Sequence, residues 1–522
     1  MQLGEPSSAV EPFYYLANFQ AMIETLQRRD GDLLAPEERR FIVDFYDLPR
    51  EARALLVRMV MRKGPLFRAS RLAYAEIPDV GAAALPLLGL RWIDERPDLT
   101  LADLFQLFGK AQVAGYLGLP KHRLKEPKSA LLAGLRDALP ERQPLHNWCA
   151  EPDTVYRLDV GPVCLRLRLM FFGNFRQDLT EFVLADLGVF KYESIWLHAE
   201  SRPFRTRRHV DDFHGLYRCR EMLHNGIEPA EIEEALPPPI GDCDWLEDRR
   251  EKLRFQIARA YERASKTDRA ARIYSTCTYP EARARAARLS AAAGGLPRRR
   301  SCDAVSVPAF ELTLERPEDE RSVEHVVLDH LSAAADEETL VLYVENALIN
   351  SLFGLLCWPA VFAPVPGAFF HPFHRGPADL SSAKFYERRR REFAACFAQL
   401  QSGAYRDTIL RRFAESHGIA SPFVAWGLVD EPLLCTALAC FPAEHLRLWF
   451  EYIVRDIRTN RAGFPDLVQF FPRSCRYRLI EVKAQGDRLQ TNQRLCLEFM
   501  LRHQMPVSVC RVRWAGVAVQ VT

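Results

Sequence analysis

At 522 residues, 48% of them apolar, the chain has length for two to four domains with buried cores, which excludes a disordered or fibrous protein. Lys+Arg 70 against Asp+Glu 68 leaves a formal net charge of +2, so no global positive field announces a polyanionic partner and any basic surface has to be local. The 13 cysteines lie at scattered spacings with no C-x-x-C pair, which argues against structural zinc and a disulfide framework and suits a reducing cytoplasm.

The opening MQLGEPSSAVEPFYY has no basic start followed by an apolar core, and no stretch approaches the roughly 18 apolar residues of a membrane span, so the chain reads as cytoplasmic. Residues 13–31 and 50–62 carry apolar positions at helical spacing, with Gly31 and Gly64 as stops, and predict a helical domain over residues 1–98. A second region, 99–200, begins LTLADLFQLFGKAQVAGYLGLP and continues KHRLKEPKSALLAGL. Thr100 is placed to cap one short helix and Ser129, after Pro127, another; the turn between them carries Lys121, Arg123 and Lys125. The third region, 201–300, starts with SRPFRTRRHVDDFHGLYRCR, six Arg against two Asp, where Arg202, Arg205, Arg207, Arg208 and His209 are candidates for an anion pocket. After Pro237, Pro238 and Pro239 an Ala-rich helical run to about residue 290 resembles one or two units of a tetratricopeptide-type solenoid, and AAAGGLPRRRS (291–301), with Arg298, Arg299 and Arg300, is a linker.

The last region, 301–522, changes character. SVEHVVLDHL and LVLYVENALINSLFGLLCW (340–358) read as apolar helices; 466–471, 477–483 and 507–513 read as strands, with a helix over 487–505 between the last two. The predicted order is helix, strand, strand, helix, strand, a small α/β unit. Strands joined by PRSCR bring Asp466 beside Glu481 and Lys483, and residues 481 and 483 point to one side of a sheet. Two converging carboxylates repel, and a hard divalent cation between them turns that cost into a binding site. The ammonium of Lys483 then holds an attacking water or offsets negative charge building on a phosphate. An ion pair explains Glu481 and Lys483 poorly on this reading, since residues two apart in a strand stand side by side.

R461-A-G-F-P-D-L-V, L479-I-E-V-K and G486-D-R-L-x-x-x-Q493 together resemble the virus-type replication-repair nuclease domain of the PD-(D/E)xK superfamily, and GNFRQDLTEFVLADLGVFKYE (173–193), the helical repeat region and E345-N-A-L-I-N-S-L-F-G-L-L-C-W358 extend the likeness to the Fanconi-associated nuclease family, as a bacterial member. The resemblance implies Asp466, Glu481, Lys483 and Gln493 as catalytic residues, with Gln493 lying near the other three, and a Mn²⁺ or Mg²⁺ site of Glu345, Asp466, Glu481 and Val482, with Glu345 on the helix leading to Trp358. It also implies a SAP-type DNA-binding module for residues 99–200, with a restriction-endonuclease-like α/β domain behind mostly helical N-terminal and central regions. The implied activity is 5′-flap incision and 5′-to-3′ trimming of DNA in repair, including interstrand crosslinks. A homodimer on DNA and a nucleoid-associated cytoplasmic location complete the expectation. Gln490 departs from the family pattern, which has Ser there. A junction-resolving or restriction-type nuclease and a non-catalytic branched-DNA adaptor are the alternatives; the long helical front half weighs against the first and the intact acidic and Lys positions against the second. Phosphate contacts would come from the 121–128 turn, the 201–220 cluster with a 5′-phosphate pocket, the linker arginines, or KFYERRRR (384–391).

Overall fold

The computed structural model describes residues 12–135, 139, 141–149, 153–197, 201–293, 307–317, 321–335 and 339–515; the linker arginines 298–300 lie outside them. The chain divides into two units, 1–189 with 202–215 and 190–201 with 216–522.

In the first unit the predicted helices run Tyr14–Asp30 and Arg50–Val60, joined by a further helix, Pro36–Asp47, whose Pro occupies the first turn where a missing N–H costs nothing. Their inner faces bury Phe19, Phe41 and Phe45. A three-stranded antiparallel sheet of Leu66–Arg68, Val155–Leu158 and Ile93–Asp94 was not foreseen, because strands of two to four residues carry too little alternation to read. Thr100 does cap the helix Leu101–Leu107: its hydroxyl accepts from Asp103 N–H at 3.2 Å and the Asp103 carboxylate accepts from Thr100 N–H at 2.8 Å. Ser129 does not cap; it lies inside the helix Lys128–Leu135, and a helix Lys110–Tyr116 and a 3₁₀ turn Lys121–Lys125 fill the space between.

In the second unit the helices Asp244–Arg263, Thr267–Thr276 and Pro280–Ala293 pack as neighbours, and the fully buried Ala258, Ala270 and Ala282 let them approach closely. Beyond them stands a five-stranded mixed sheet: β1 (Ala309–Leu314), β2 (Leu340–Tyr343), β3 (Leu467–Phe471), β4 (Arg476–Lys483) and β5 (Val507–Trp514), in spatial order β1-β5-β4-β3-β2. β3 and β4 form the expected hairpin through Pro472–Ser474, while β4 and β5 run parallel through the crossover helix α3 (Thr491–Arg502). One face carries Val468, Phe470, Tyr477, Leu479, Val507 and Val509 against the large helical core; the other carries Leu467, Ile480, Val482, Cys510 and Val512 against α1 (Val323–Ala333). Burial on both faces explains why β4 reads as a nearly continuous apolar run.

Two expectations fail here. Residues 340–358 are not one helix: Leu340–Tyr343 is the edge strand β2, Glu345 occupies a turn at φ +35°, and only then does α2 (Ala347–Leu356) begin. A run this rich in apolar residues, broken only by Glu345, Asn346, Asn350 and Ser351, shows no clean period to separate strand from helix, and pairing with β3 decides it. β1, parallel to β5, was missed altogether. α2 is buried on all sides, and Gly354 lets it pass the chain at Phe423, where a Cβ would stand 2.6 Å from that residue's own. Among the described residues no helix is long and apolar enough to cross a membrane.

Candidate active site

Asp466 is set by the loop before it. Gly463 takes φ +94°, and a Cβ there would stand 2.8 Å from the backbone of Asn492 at the start of α3. Pro465 disfavours helical backbone at the buried Phe464 before it and brings no N–H in need of a partner. Two asparagines at the start of α2 tie the loop down: Asn346 Oδ1 accepts from Phe464 N–H at 3.1 Å, and Asn350 Nδ2 donates to the Arg461 carbonyl at 2.8 Å.

Strand parity does the rest. Leu467 pairs with Ile480, so one further step of the antiparallel register sets Asp466 opposite Glu481. Asp466 shares the face of Val468 and Phe470, and Glu481 and Lys483 share that of Tyr477 and Leu479, so all three side chains point to the same side. Asp466 Oδ2 accepts from Val482 N–H at 2.8 Å. Glu481 is wholly buried. Its Oε1 lies 2.6 Å from Lys483 Nζ, an ion pair without the angle of a hydrogen bond, and its Oε2 has no hydrogen-bond partner. The contact corrects the expectation that these two residues do not meet: the lysine stem spans the roughly 7 Å between alternate residues.

Burial pushes the Asp466 carboxyl up to about 6, with Glu324 and Glu345 adding to the rise and the Val482 N–H and Lys483 opposing it. Burial, then the neighbouring Asp466, pushes Glu481 up to about 7 against the pull of Lys483. A buried carboxylate with unused lone pairs beside a second carboxylate is costly as it stands, by several kcal/mol. A divalent cation would remove that cost, so the residues fit the metal that the motif implies.

Glu345 is exposed rather than mid-helix. Its N–H and that of Val344 both donate to the Asp466 carbonyl at 2.9 Å, which fastens the two chain segments together. Its carboxylate accepts from Tyr343 Oη at 2.7 Å and Asn346 Nδ2 at 3.2 Å. In this arrangement no three Asp, Glu, His or Cys side chains are gathered as a ready metal cluster among the described residues. Val482 has a buried apolar side chain, so only its carbonyl has an oxygen to offer. Gln493 sits in the first turn of α3, where its Oε1 accepts from the N–H of Gln490, the helix N-cap, at 2.9 Å, and among the described residues it makes no hydrogen bond to Asp466 or Glu481.

The basic clusters are largely spoken for. Arg202 pairs with Asp32 at 2.6 Å, Arg207 with the buried Glu38 at 2.6 Å, and Arg208 with Asp212 at 3.5 Å, while Arg205 is exposed; His209 is buried. Arg123 pairs with Glu126 at 2.9 Å, Lys125 is exposed, and Lys121 opens their 3₁₀ turn. In KFYERRRR, Lys384 pairs with Asp244, and Arg388 and Arg389 with Asp379. Residue spacing also missed two groups that the fold brings near. Glu324, in the first turn of α1, bears electrostatically on both buried carboxylates. Arg511 is exposed and in register with Lys483 across the parallel β4–β5 pair. Neither is visible in a motif, since each lies on a separate element.

The family models described as "FAN1, HTH domain" and "VRR-NUC domain" match residues 13–94 and 400–514. The Fanconi-associated nuclease 1 homolog of Pseudomonas aeruginosa is 46% identical over 541 residues, covering 97% of this chain and 96% of that one. The Oryza sativa subsp. japonica homolog is 25% identical over 620 residues, covering 98% of this chain and 63% of the rice protein. A crystal structure of paFAN1 bound to 2nt 5′flap DNA with gap matches at a TM-score of 0.91 and 45% identity, covering 98% of this chain and 100% of that one. Identity at that level along nearly the whole length places the chain in the Fanconi-associated nuclease family, as a DNA-cleaving hydrolase that depends on a divalent metal.

Proposed function

We propose that this nuclease incises DNA near 5′ flaps and trims it 5′ to 3′ in repair, interstrand crosslinks included, with Asp466, Glu481 and Glu345 and the Val482 carbonyl holding Mn²⁺ or Mg²⁺. The observation that carries the reading is Glu481: fully buried, with an oxygen that bonds to nothing, opposite Asp466 and beside Lys483. The substrate preference is supported by the similar structure, which held 5′flap DNA.

When bound, a divalent cation supplies Lewis acidity toward the scissile phosphate and acidifies water. Lys483, 13% exposed, presents Nζ at the rim of the site, where it donates to the attacking water or to a non-bridging phosphate oxygen. The paired strand ends hold both carboxylates at fixed separation, so little reorganisation is needed as charge develops. Attack by water with departure of the 3′ oxygen leaves a 5′ phosphate and a 3′ hydroxyl. Gln493 acts through α3, whose first turn abuts Gly463. Arg205, Lys125 and Arg511 are the exposed cations that we assign to phosphates; Arg202, Arg207, Arg208 and Arg123 have carboxylate partners to leave first, and Lys121 shares the turn of Lys125. Recognition then rests on shape and backbone charge rather than base edges. A homodimer on flap DNA, at the nucleoid, belongs to the same reading and is checked by light scattering of the complex.

The test is cleavage of end-labelled 5′-flap, 3′-flap, splayed and plain duplex DNA in Mn²⁺, Mg²⁺ or EDTA, by the parent and by Asp466→Ala. Metal-dependent cutting near the 5′-flap junction that the variant lacks is expected. Equal cutting of all four substrates contradicts the flap preference, and cutting retained by Asp466→Ala contradicts the assigned site.

A further inference from the structure

Between the two elements that carry Glu345 and Asp466 stands one side chain that bonds to both. Asn346 Nδ2 donates to Glu345 Oε1 at 3.2 Å, and its Oδ1 accepts from Phe464 N–H at 3.1 Å, two residues before Asp466. The Asn346 carbonyl in turn accepts from Asn350 Nδ2 at 2.6 Å, and that amide also holds the Arg461 carbonyl. Donor and acceptor of one amide are therefore used on two different segments, and the amide's own place is fixed by the helix it starts.

We propose that Asn346 is a positioning residue for the divalent cation: it aims the Glu345 carboxylate and fixes its distance from Asp466. The inference rests on the reading of Glu345 as a ligand. A carboxylate offers about four lone-pair positions. Tyr343 and Asn346 occupy one on each oxygen, which leaves one on each oxygen for a cation and narrows the rotamers of an otherwise exposed glutamate. Partners behind a ligand orient it and raise its affinity for metal, and their loss costs roughly 10–100-fold. Asn346 is partly exposed, so its truncation opens no cavity in the core and costs the fold one hydrogen bond, that from the N–H of the buried Phe464. It touches neither substrate nor reacting atoms, and its effect on the cation passes through the Glu345 carboxylate, the bond from Phe464 N–H serving to anchor the amide.

Mn²⁺ binding to the full chain, followed by the electron paramagnetic resonance of free Mn²⁺, tests this in the parent, Asn346→Ala, Glu345→Ala and the double variant. The melting temperature in EDTA is recorded alongside. Asn346→Ala is expected to bind Mn²⁺ about 10–100-fold more weakly with a metal-free melting temperature lowered by no more than about 2–4 °C, and the double variant no more weakly than Glu345→Ala alone. Parent-like or tighter binding by Asn346→Ala while Glu345→Ala binds weakly overturns the positioning role and leaves the ligand reading standing. Parent-like binding by Glu345→Ala overturns the ligand reading itself. A fall in the metal-free melting temperature of Asn346→Ala that accounts for the weaker binding makes the residue structural and overturns the proposal.

Discussion

Asp466 and Glu481 bind protons more tightly in the folded chain than their ordinary values of 3.8 and 4.5 allow, with burial the leading cause for both. Groups of that kind stabilise the fold below their ordinary values and lose the contribution as pH rises through the raised ones. The metal-free protein is therefore expected to lose melting temperature between about pH 4 and pH 7, and Glu481→Gln to flatten part of that slope. Mn²⁺ affinity runs the other way, climbing across the same window as the cation displaces the protons. A metal-free melting temperature that rises over this range contradicts the burial argument. Arg511 makes a separate prediction. If it meets a phosphate, Arg511→Ala weakens DNA binding at every sequence, lowers the salt dependence by about one ion and leaves Mn²⁺ affinity alone. An unchanged salt slope refutes that role. The residues legible from sequence, Asp466, Glu481 and Lys483, are those whose geometry depends only on strand parity within one hairpin. Arg511 and Glu324 were illegible because their proximity is created by a parallel crossover and by a helix more than a hundred residues upstream.

Elements were readable where their period was clean and misread where it was absent. The β3–β4 hairpin, α3 and β5 emerge within a residue or a few of where patterning puts them, because a half-polar helix and a hairpin turn leave marks in the chain. The run from Leu340 to Trp358 carries too few polar residues to show a period, and what divides it into β2 and α2 is a tertiary event: pairing of Leu340–Tyr343 with β3 and the turn at Glu345. That division matters, since it moves Glu345 from a helix interior to the end of a strand, where its N–H bonds to the Asp466 carbonyl. The loop that feeds β3 is equally constrained. Gly463→Ala forces a non-glycine residue to φ +94° and drives its Cβ against the Asn492 backbone. We expect a loss of about 1–3 kcal/mol in denaturant unfolding, with cleavage reduced further because Asp466 and the start of α3 shift together. A variant as stable and as active as the parent contradicts the tight contact.

For the whole molecule, a nearly neutral chain cannot bind DNA by bulk charge, and Arg202, Arg207, Arg208, Arg388 and Arg389, in the clusters that stand out in the sequence, are already paired with carboxylates. Two classes of charge follow. One set is paired with carboxylates inside the helical regions, and exposed cations such as Arg205, Lys125 and Arg511 are the ones we assign to phosphates. Composition alone does not distinguish them, because a charge run looks the same whether its partners are aspartates or a nucleic acid. The buried corner of the sheet is a different case: no stability argument favours an acid there, so its presence points to chemistry.

Glu481→Gln keeps the shape of that corner and removes only the charge. Single-turnover cleavage of 5′-flap DNA in Mn²⁺, with DNA binding measured on the same samples, should show the variant slower by about 100-fold or more, with parent-like flap affinity and no loss of metal-free stability. Cleavage within a few-fold of the parent would contradict the assignment of the nuclease centre to the ends of β3 and β4.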